Sequence, residues 1–388
     1  MKSENFSNIG IDASNITVGG GLTHLVEMLN AATPSNYGFK KVIVWASQST
    51  LDQINDHPWL MKCPHDALEK NIFQRALWQR NSLEYYAKKE NCDLLFIPGG
   101  TFFTNFHPIV TMNQNLLPFE WEEIKRYGFS LFTIKWLSLR FSQATSYKNA
   151  NGVIFLSEYA KNTVLEVTGT LNGKYKVIPH GMNSRLFIHP KVQKPISYYS
   201  IDNPFRIIYM SSLEPYKNNL TAIKAVIALR KEGLPVTLDI YGRGSKNKTN
   251  ELNCIIKLMD KYKSVKYHGE IPYDSFHEKY KKADLAIYAS SCETFGQTLI
   301  EGMAAGLPTI CANKSTMPEL LGNAGIYFDL NNSEDIKNTL KNVIFSPELR
   351  VEKSKMAFKK AKNYSWGKCA NETFEFLGSF VEKNNQFL

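Results

Sequence analysis

Two carboxylates around a helix start are the strongest chemical signal in this chain. Residues 290–310 read Ser290-Ser291-Cys292-Glu293-Thr294-Phe295-Gly296-Gln297-Thr298-Leu299-Ile300-Glu301-Gly302-Met303-Ala304-Ala305-Gly306-Leu307-Pro308-Thr309-Ile310. Good helix formers from Gln297 to Ala305 stop at Gly306 with Pro308 behind, which is helix-stop chemistry. A strand ends near Ala289, so a helix begins at the mouth of a sheet. Its first-turn N–H groups around Gly296 to Leu299, with the helix dipole, make an anion site suited to a diphosphate. Glu293 and Glu301 flank that site, and even in a continuous helix they would stand about 12 Å apart at 1.5 Å per residue. A glycosidase pair needs roughly 5 Å, or about 6.5 to 9.5 Å, so hydrolysis is disfavoured. The spacing suits two hydroxyl clamps at the ends of an extended ligand; the plainer reading makes Glu301 a solvated helix residue and Glu293 a loop charge.

A weaker signal lies near the start. Gly19-Gly20-Gly21 precedes Leu22-Thr23-His24-Leu25-Val26-Glu27-Met28-Leu29, a helix with one apolar face. Three glycines let backbone approach a phosphate closely, although a plain turn fits as well. The spacing is no dinucleotide fingerprint, since Gly-x-Gly-x-x-Gly and a ribose carboxylate about 20 residues on are missing. Residues 121–147 interleave Lys125, Arg126, Lys135 and Arg140 with Tyr127, Phe129, Phe132, Trp136 and Phe141, with no acid after Glu123. Such a helix can lie on an anionic inner-membrane surface, or turn its aromatics into a core.

Short buried strand patterns must position these residues. Asp93-Leu94-Leu95-Phe96-Ile97-Pro98 closes on Gly99-Gly100, and comparable units recur at Val153-Ile154-Phe155-Leu156, Val236-Thr237-Leu238-Asp239-Ile240-Tyr241 and Leu285-Ala286-Ile287-Tyr288, each next to helical periodicity. Alternating strands and helices predict a doubly wound parallel sheet. Residues 183–205, with Pro190, Pro195 and Pro204, break the alternation and read as an interdomain linker. The expected organisation is an α/β domain over 1–190 and a second over 200–365, with a ligand at the carboxyl ends of the strands. An amphipathic helix over about 366–388 closes the chain and is placed to pack back on the first domain.

The 388 residues are 43% hydrophobic and 21% charged, which excludes disordered and fibrous classes. Six scattered cysteines show no Cys-x-x-Cys and suit a reducing compartment. The net charge of +10 is diffuse: residues 1–200 hold 20 Lys/Arg against 15 Asp/Glu, and the remainder 26 against 21, so a nucleic-acid partner is not expected. No apolar run approaches the roughly 20 residues of a membrane span, and the start lacks a secretory core. A cytoplasmic protein is expected, with a peripheral position on the inner membrane face as the alternative.

The Glu, seven residues, Glu pattern of Glu293 and Glu301 resembles the signature of retaining glycosyltransferases with the two-domain GT-B fold, the family that builds bacterial lipopolysaccharide, O-antigen and capsule glycans. The resemblance continues through Ser315-Thr316-Met317-Pro318-Glu319, similar to that family's Ser-x-x-Pro-Glu, and Asn323-Ala324-Gly325. It implies two Rossmann-like domains facing each other across a cleft, with a nucleoside-diphosphate sugar as donor and a glycan or lipid-linked acceptor. Neither a cofactor nor a metal is implied; the Asp-x-Asp of the other main glycosyltransferase fold is missing. By the same resemblance Glu293 holds the transferred sugar, Glu301 the nucleotide ribose, and Phe295, Gly296 and the N–H groups of Gln297, Thr298 and Leu299 surround the diphosphate. Lys217 would neutralise the leaving phosphate. An arginine common five or six residues earlier is replaced by Ser212 or Ser211, leaving Arg243 as its substitute. Gly20 and Gly21 would close over the diphosphate. Gln114 stands where a histidine is common, with Asn115 beside it, and His180 follows a strand that leads into the linker. The alternative is a GT-B-fold binding or scaffold protein without turnover, favoured by the missing arginine and histidine. A nicotinamide oxidoreductase lacks its fingerprint.

Overall fold

The structure, a computed structural model, describes residues 7–381. It contains two compact units: the chain up to Gly181 with the chain from Tyr364 onward, and Met182–Asn363.

The first unit is built on seven strands: β1 (Ser7–Asp12), β2 (Phe39–Ala46), β3 (Leu60–Pro64), β4 (Leu94–Ile97), β5 (Ile109–Met112), β6 (Gly152–Phe155) and β7 (Lys174–Val177). All pair in parallel, in the order β3-β2-β1-β4-β5-β6-β7. Central parallel strands covered on both faces read as unbroken apolar runs, and Ile9, Ile11, Val42, Val44, Leu95, Phe96 and Val153 are fully buried. The chain reverses its direction of travel across the sheet between β1 and β4, so the carboxyl ends of those strands form the crevice of this unit. The helix Trp366–Gly378 completes the unit against the helix Gly20–Asn30. Phe374 meets Phe39 edge-on at 6.1 Å, and Lys176 pairs with Glu375 at 2.6 Å. Residues 382–388 of the expected terminal helix lie outside the described residues.

The second unit carries β8 (Phe205–Met210), β9 (Val236–Tyr241), β10 (Val265–Tyr267), β11 (Leu285–Tyr288), β12 (Thr309–Ala312) and β13 (Ile326–Phe328), all parallel in the order β10-β9-β8-β11-β12-β13. Its reversal falls between β8 and β11. The chain passes between units at Gly181–Met182, and residues 183–205, expected as a linker, are fastened inside the second unit. Buried Arg350 does the fastening: it donates to Gln193 Oε1 at 3.1 Å, to the Lys194 carbonyl at 2.5 Å and to the Val343 carbonyl at 2.7 Å. A buried guanidinium is tolerable only when its donors are met in this way.

Candidate functional site

In the second unit the sheet pairing runs past the strand ends. Ser211 N–H donates to the Tyr241 carbonyl at 2.7 Å and Leu213 N–H to the Arg243 carbonyl at 2.9 Å. Gly242 makes this possible: its φ is 149°, and a Cβ there would stand 2.2 Å from the Ser211 carbonyl oxygen. Ser212 and Arg243 thus share one lip of the crevice. The Ser212 carbonyl accepts from Asn219 Nδ2 at 2.9 Å, while the Arg243 side chain is exposed and has no ion-pair partner among the described residues.

The loops after β8 and β11 are stitched together. Asn218, in the left-handed region at φ 51°, donates from Nδ2 to the Ala289 carbonyl at 2.8 Å, and Ser291 N–H donates to the Tyr216 carbonyl at 2.8 Å. The stitching brings Lys217 and Glu293, 76 positions apart, into a mostly buried ion pair. Ser315 holds the Glu293 backbone from the far side: its Oγ accepts from Glu293 N–H at 2.8 Å and donates to the Glu293 carbonyl at 3.0 Å. The Ser-x-x-Pro-Glu segment therefore earns its place as the clamp on the Glu293 loop.

Gly296, at φ 83°, starts the helix Gln297–Ala304, the left-handed turn that lets the chain swing from loop to helix. The Leu299 N–H is already used, donating to the Gly296 carbonyl at 2.9 Å, so of the amides expected at a diphosphate this one is committed to the helix itself. Phe295 turns its ring into the core. Glu301 is not a solvated helix residue: it is 1% exposed, and Tyr280 OH donates to its Oε2 at 3.3 Å while standing 3.2 Å from Tyr288 OH. Burial pushes the Glu301 carboxyl up to about 8, against the smaller opposing effects of the Tyr280 hydrogen bond and the Arg185 charge. The two carboxylates therefore differ in kind, one paired with a cation and the other pushed towards its neutral form by burial.

In the first unit Gly19, at φ 73°, caps the helix Gly20–Asn30, and a Cβ on Gly21 would lie 2.8 Å from Gln114 Oε1. The glycine triplet and the segment after β5 therefore meet. Asn115 is occupied locally, its Oδ1 accepting from Leu117 N–H at 3.2 Å. His180 is buried and stacked on His24 at 4.6 Å between ring centroids, with Trp366 at 5.9 Å. Burial pushes His24 down to about 4, so that ring is neutral. Sequence reasoning missed Asp12, buried at the carboxyl end of β1, accepting from Ser14 N–H at 3.0 Å and from Gln79; burial raises its carboxyl. It also missed Tyr280 and Tyr288, although a tyrosine closing β11 just ahead of Ser290 was a usable sign. Among the described residues no three His, Cys, Asp or Glu side chains are grouped to hold a metal, and no helix is long and apolar enough to cross a membrane.

Residues 196–361 match the profile of the glycosyl transferases group 1. The second unit is a group 1 glycosyltransferase domain. Over 169 residues the chain is 27% identical to the O-antigen chain mannosyltransferase B of Escherichia coli, covering 43% of this chain and 44% of that relative, so the match spans less than half its length. Among solved structures, sucrose-phosphate synthase from Thermosynechococcus elongatus superimposes with a TM-score of 0.74 at 16% identity, over 95% of this chain and 98% of that one. HepE of Anabaena, solved with UDP and glucose, gives 0.70 at 17% identity over 96% and 100%. These likenesses establish the GT-B fold of two Rossmann-like domains. Within the group 1 domain, Lys217, Glu293 and the start of the Gln297–Ala304 helix all gather at the strand-order reversal.

Proposed function

We propose that this chain is a retaining glycosyltransferase moving a hexose-type sugar from a nucleoside-diphosphate sugar to a glycan or lipid-linked acceptor in cell-surface polysaccharide assembly. The observation that carries the reading is the Lys217–Glu293 ion pair at the crevice of a group 1 domain. An ammonium and a carboxylate that hold each other in the free protein are set to be parted by a ligand offering a phosphate to one and hydroxyls to the other. The similarity to an O-antigen mannosyltransferase supports the hexose and the polysaccharide, and the UDP and glucose bound by HepE support the donor class.

In this reading the diphosphate lies at the start of the Gln297–Ala304 helix, Glu301 takes the ribose, and Glu293 takes sugar hydroxyls. The anomeric carbon–phosphate oxygen bond breaks with oxocarbenium character as Lys217 stabilises the leaving diphosphate. The acceptor oxygen bonds to the anomeric carbon on the same face, and its proton passes to the leaving phosphate. Lys217 and the helix start together supply the positive potential that other enzymes take from a divalent ion, so transfer is metal-independent, and a cytoplasmic location gives access to nucleotide sugars.

Incubation with a panel of nucleotide sugars, following nucleotide release with and without EDTA, tests this. Release from at least one donor that survives EDTA is expected. Binding of nucleotide without release from any donor, even with an acceptor lipid extract, supports a scaffold protein instead; activity lost in EDTA and restored by manganese sinks metal independence.

A further inference from the structure

Two surfaces of the first unit lie outside the proposed chemistry. On one, an apolar face, the helices Ile72–Asn81 and Leu131–Asn149 leave Phe73, Leu131, Ile134, Leu137 and Phe141 in solvent. Of the two readings of residues 121–147, a core helix with inward aromatics fails for this face. The other surface is a hollow of about 630 Å³ at the amino edge of the sheet, within the roughly 300–1,000 Å³ of sites that enclose a small ligand.

The turns that feed three neighbouring strands build the hollow: residues 107–108 lead into β5, 149–151 into β6 and 172–173 into β7. A ligand held there is at the far end of the strands from the crevice of this unit, which opens at their carboxyl ends. Two glycines draw the walls together. A Cβ on Gly173 would stand 2.2 Å from the Asn151 carbonyl oxygen, and one on Gly152 would stand 2.6 Å from Cζ of Phe380, whose ring takes that space. Phe376 braces Phe380 edge-on at 5.1 Å, so Phe380 and Phe102 give the hollow fixed aromatic walls.

The polar lining selects the occupant. Among the described residues no Asp or Glu borders the hollow, whereas Asn105, Asn149 and Asn172 do, each exposed and with no partner for its side-chain amide. Asn151 is committed: its Oδ1 accepts from Ile109 N–H at 2.9 Å and stands 2.9 Å from His107 Nδ1, so that ring nitrogen donates and Nε2 is left for another partner. Lys148 and Lys174 add two cations with no carboxylate partner among the described residues, Lys174 Nζ standing 5.6 Å from the Phe380 ring centroid. An amide offers a donor and an acceptor side by side, which suits vicinal hydroxyls, and an aromatic wall suits the apolar C–H side of a sugar ring. Ammonium groups with no acid between them suit a carboxylate. A bare anion would leave the three amides unanswered, and two lysines make no track for a nucleic-acid backbone. We infer that this hollow binds an acidic oligosaccharide, one whose sugars carry carboxylates. The inference stands apart from the proposed transfer, since binding there needs no turnover.

Binding of the full chain to a panel of short oligosaccharides tests it, with oligomers of galacturonate, glucuronate and sialate beside neutral oligomers of glucose and mannose. At least one acidic oligomer should bind about tenfold tighter than every neutral one, and its binding should weaken as salt rises. Lys148→Glu with Lys174→Glu should lower that affinity at least about tenfold, and Asn149→Ala with Asn172→Ala at least about threefold. Both double variants should keep the circular dichroism and the nucleotide release of the wild type, because all four side chains are exposed and lie away from the crevice. Failure of every acidic oligomer to bind overturns the inference. Wild-type binding by the lysine variant places the glycan elsewhere and overturns it as well. Inorganic phosphate that displaces the oligomer at matching concentration, or an oligonucleotide that binds tighter than every glycan and is lost in the lysine variant, assigns the hollow to another ligand and overturns it too.

Discussion

The crevice of the second unit and the apolar face of the first solve opposite problems. At the crevice, polar groups that would be costly to bury alone are matched to one another: Lys217 with Glu293, Glu301 with Tyr280, Ser315 with the Glu293 backbone. On the apolar face, side chains that gain by leaving water are denied the chance. The first arrangement is complete in the free protein and must be disturbed by whatever binds there. The second stays open to solvent in the free protein. Substitutions should therefore act through specific partners at the crevice and through summed area on the face.

The largest effect should come from Glu293→Gln, which keeps volume but removes the charge that faces Lys217 and, in the proposed reading, the sugar. Turnover should fall at least about a hundredfold, roughly 2.7 kcal/mol, with the folded state retained by circular dichroism although the melting temperature drops as Lys217 loses its partner. Loss within about threefold breaks the assigned role. Lys217→Ala comes next, lowering turnover number at least about tenfold, with Lys217→Arg recovering part of it. A rise in the Michaelis constant alone would make Lys217 a ground-state binding group.

Glu301→Gln sharpens the contrast between the two carboxylates through stability. The carboxyl titrates near 8 in the folded chain and near 4.5 when unfolded, so its favourable contribution is fully present below about pH 4.5 and is lost as pH rises towards 8. The amide has no such dependence. Relative to wild type, the variant should therefore gain a few kcal/mol, or several degrees of melting temperature, between pH 5 and pH 8, measured by thermal denaturation across that range. The smallest effect is expected at Asn115→Ala, whose oxygen already serves its own turn: turnover should change by less than about threefold, and a larger loss would move that residue into the site.

Local pattern exposed most of this architecture. Runs such as Leu94 to Ile97 and Leu285 to Tyr288 could only be buried parallel strands, and Gly306 with Pro308 stopped the helix that carries Glu301. Less visible were the partners. Nothing in the spacing of Lys217 and Glu293 says that they touch, because the contact depends on Asn218 and Ser291 stitching two loops across the strand-order reversal. Glu301 read as solvated on its own, since its burial comes from Tyr280, which lies on a different helix 21 positions earlier. The linker reading of residues 183–205 failed for the same reason: proline content is local, whereas Arg350, which fastens that stretch, is about 150 positions away. His180 could be read only as a strand-end histidine, because its stacking partner His24 and neighbour Trp366 come from opposite ends of the first unit.

The seam at Gly181 bears on how the protein is made. A Cβ on Gly181 would sit 2.2 Å from the backbone nitrogen of Trp366, so the point where the chain leaves the first unit touches the point where it returns. The intervening 182 residues are, in sequence, an insertion within a finished surface. On a ribosome adding about 5 to 20 residues per second, they occupy roughly 10 to 40 seconds during which β1 to β7 exist without the Trp366–Gly378 helix. Phe39 and the His24–His180 stack wait without Phe374 and Trp366 for that interval, while the second unit emerges whole and can fold first. The later-synthesised unit is thus the earlier one to be completed, and the apolar surface awaiting its last helix is where a nascent-chain chaperone would find its purchase.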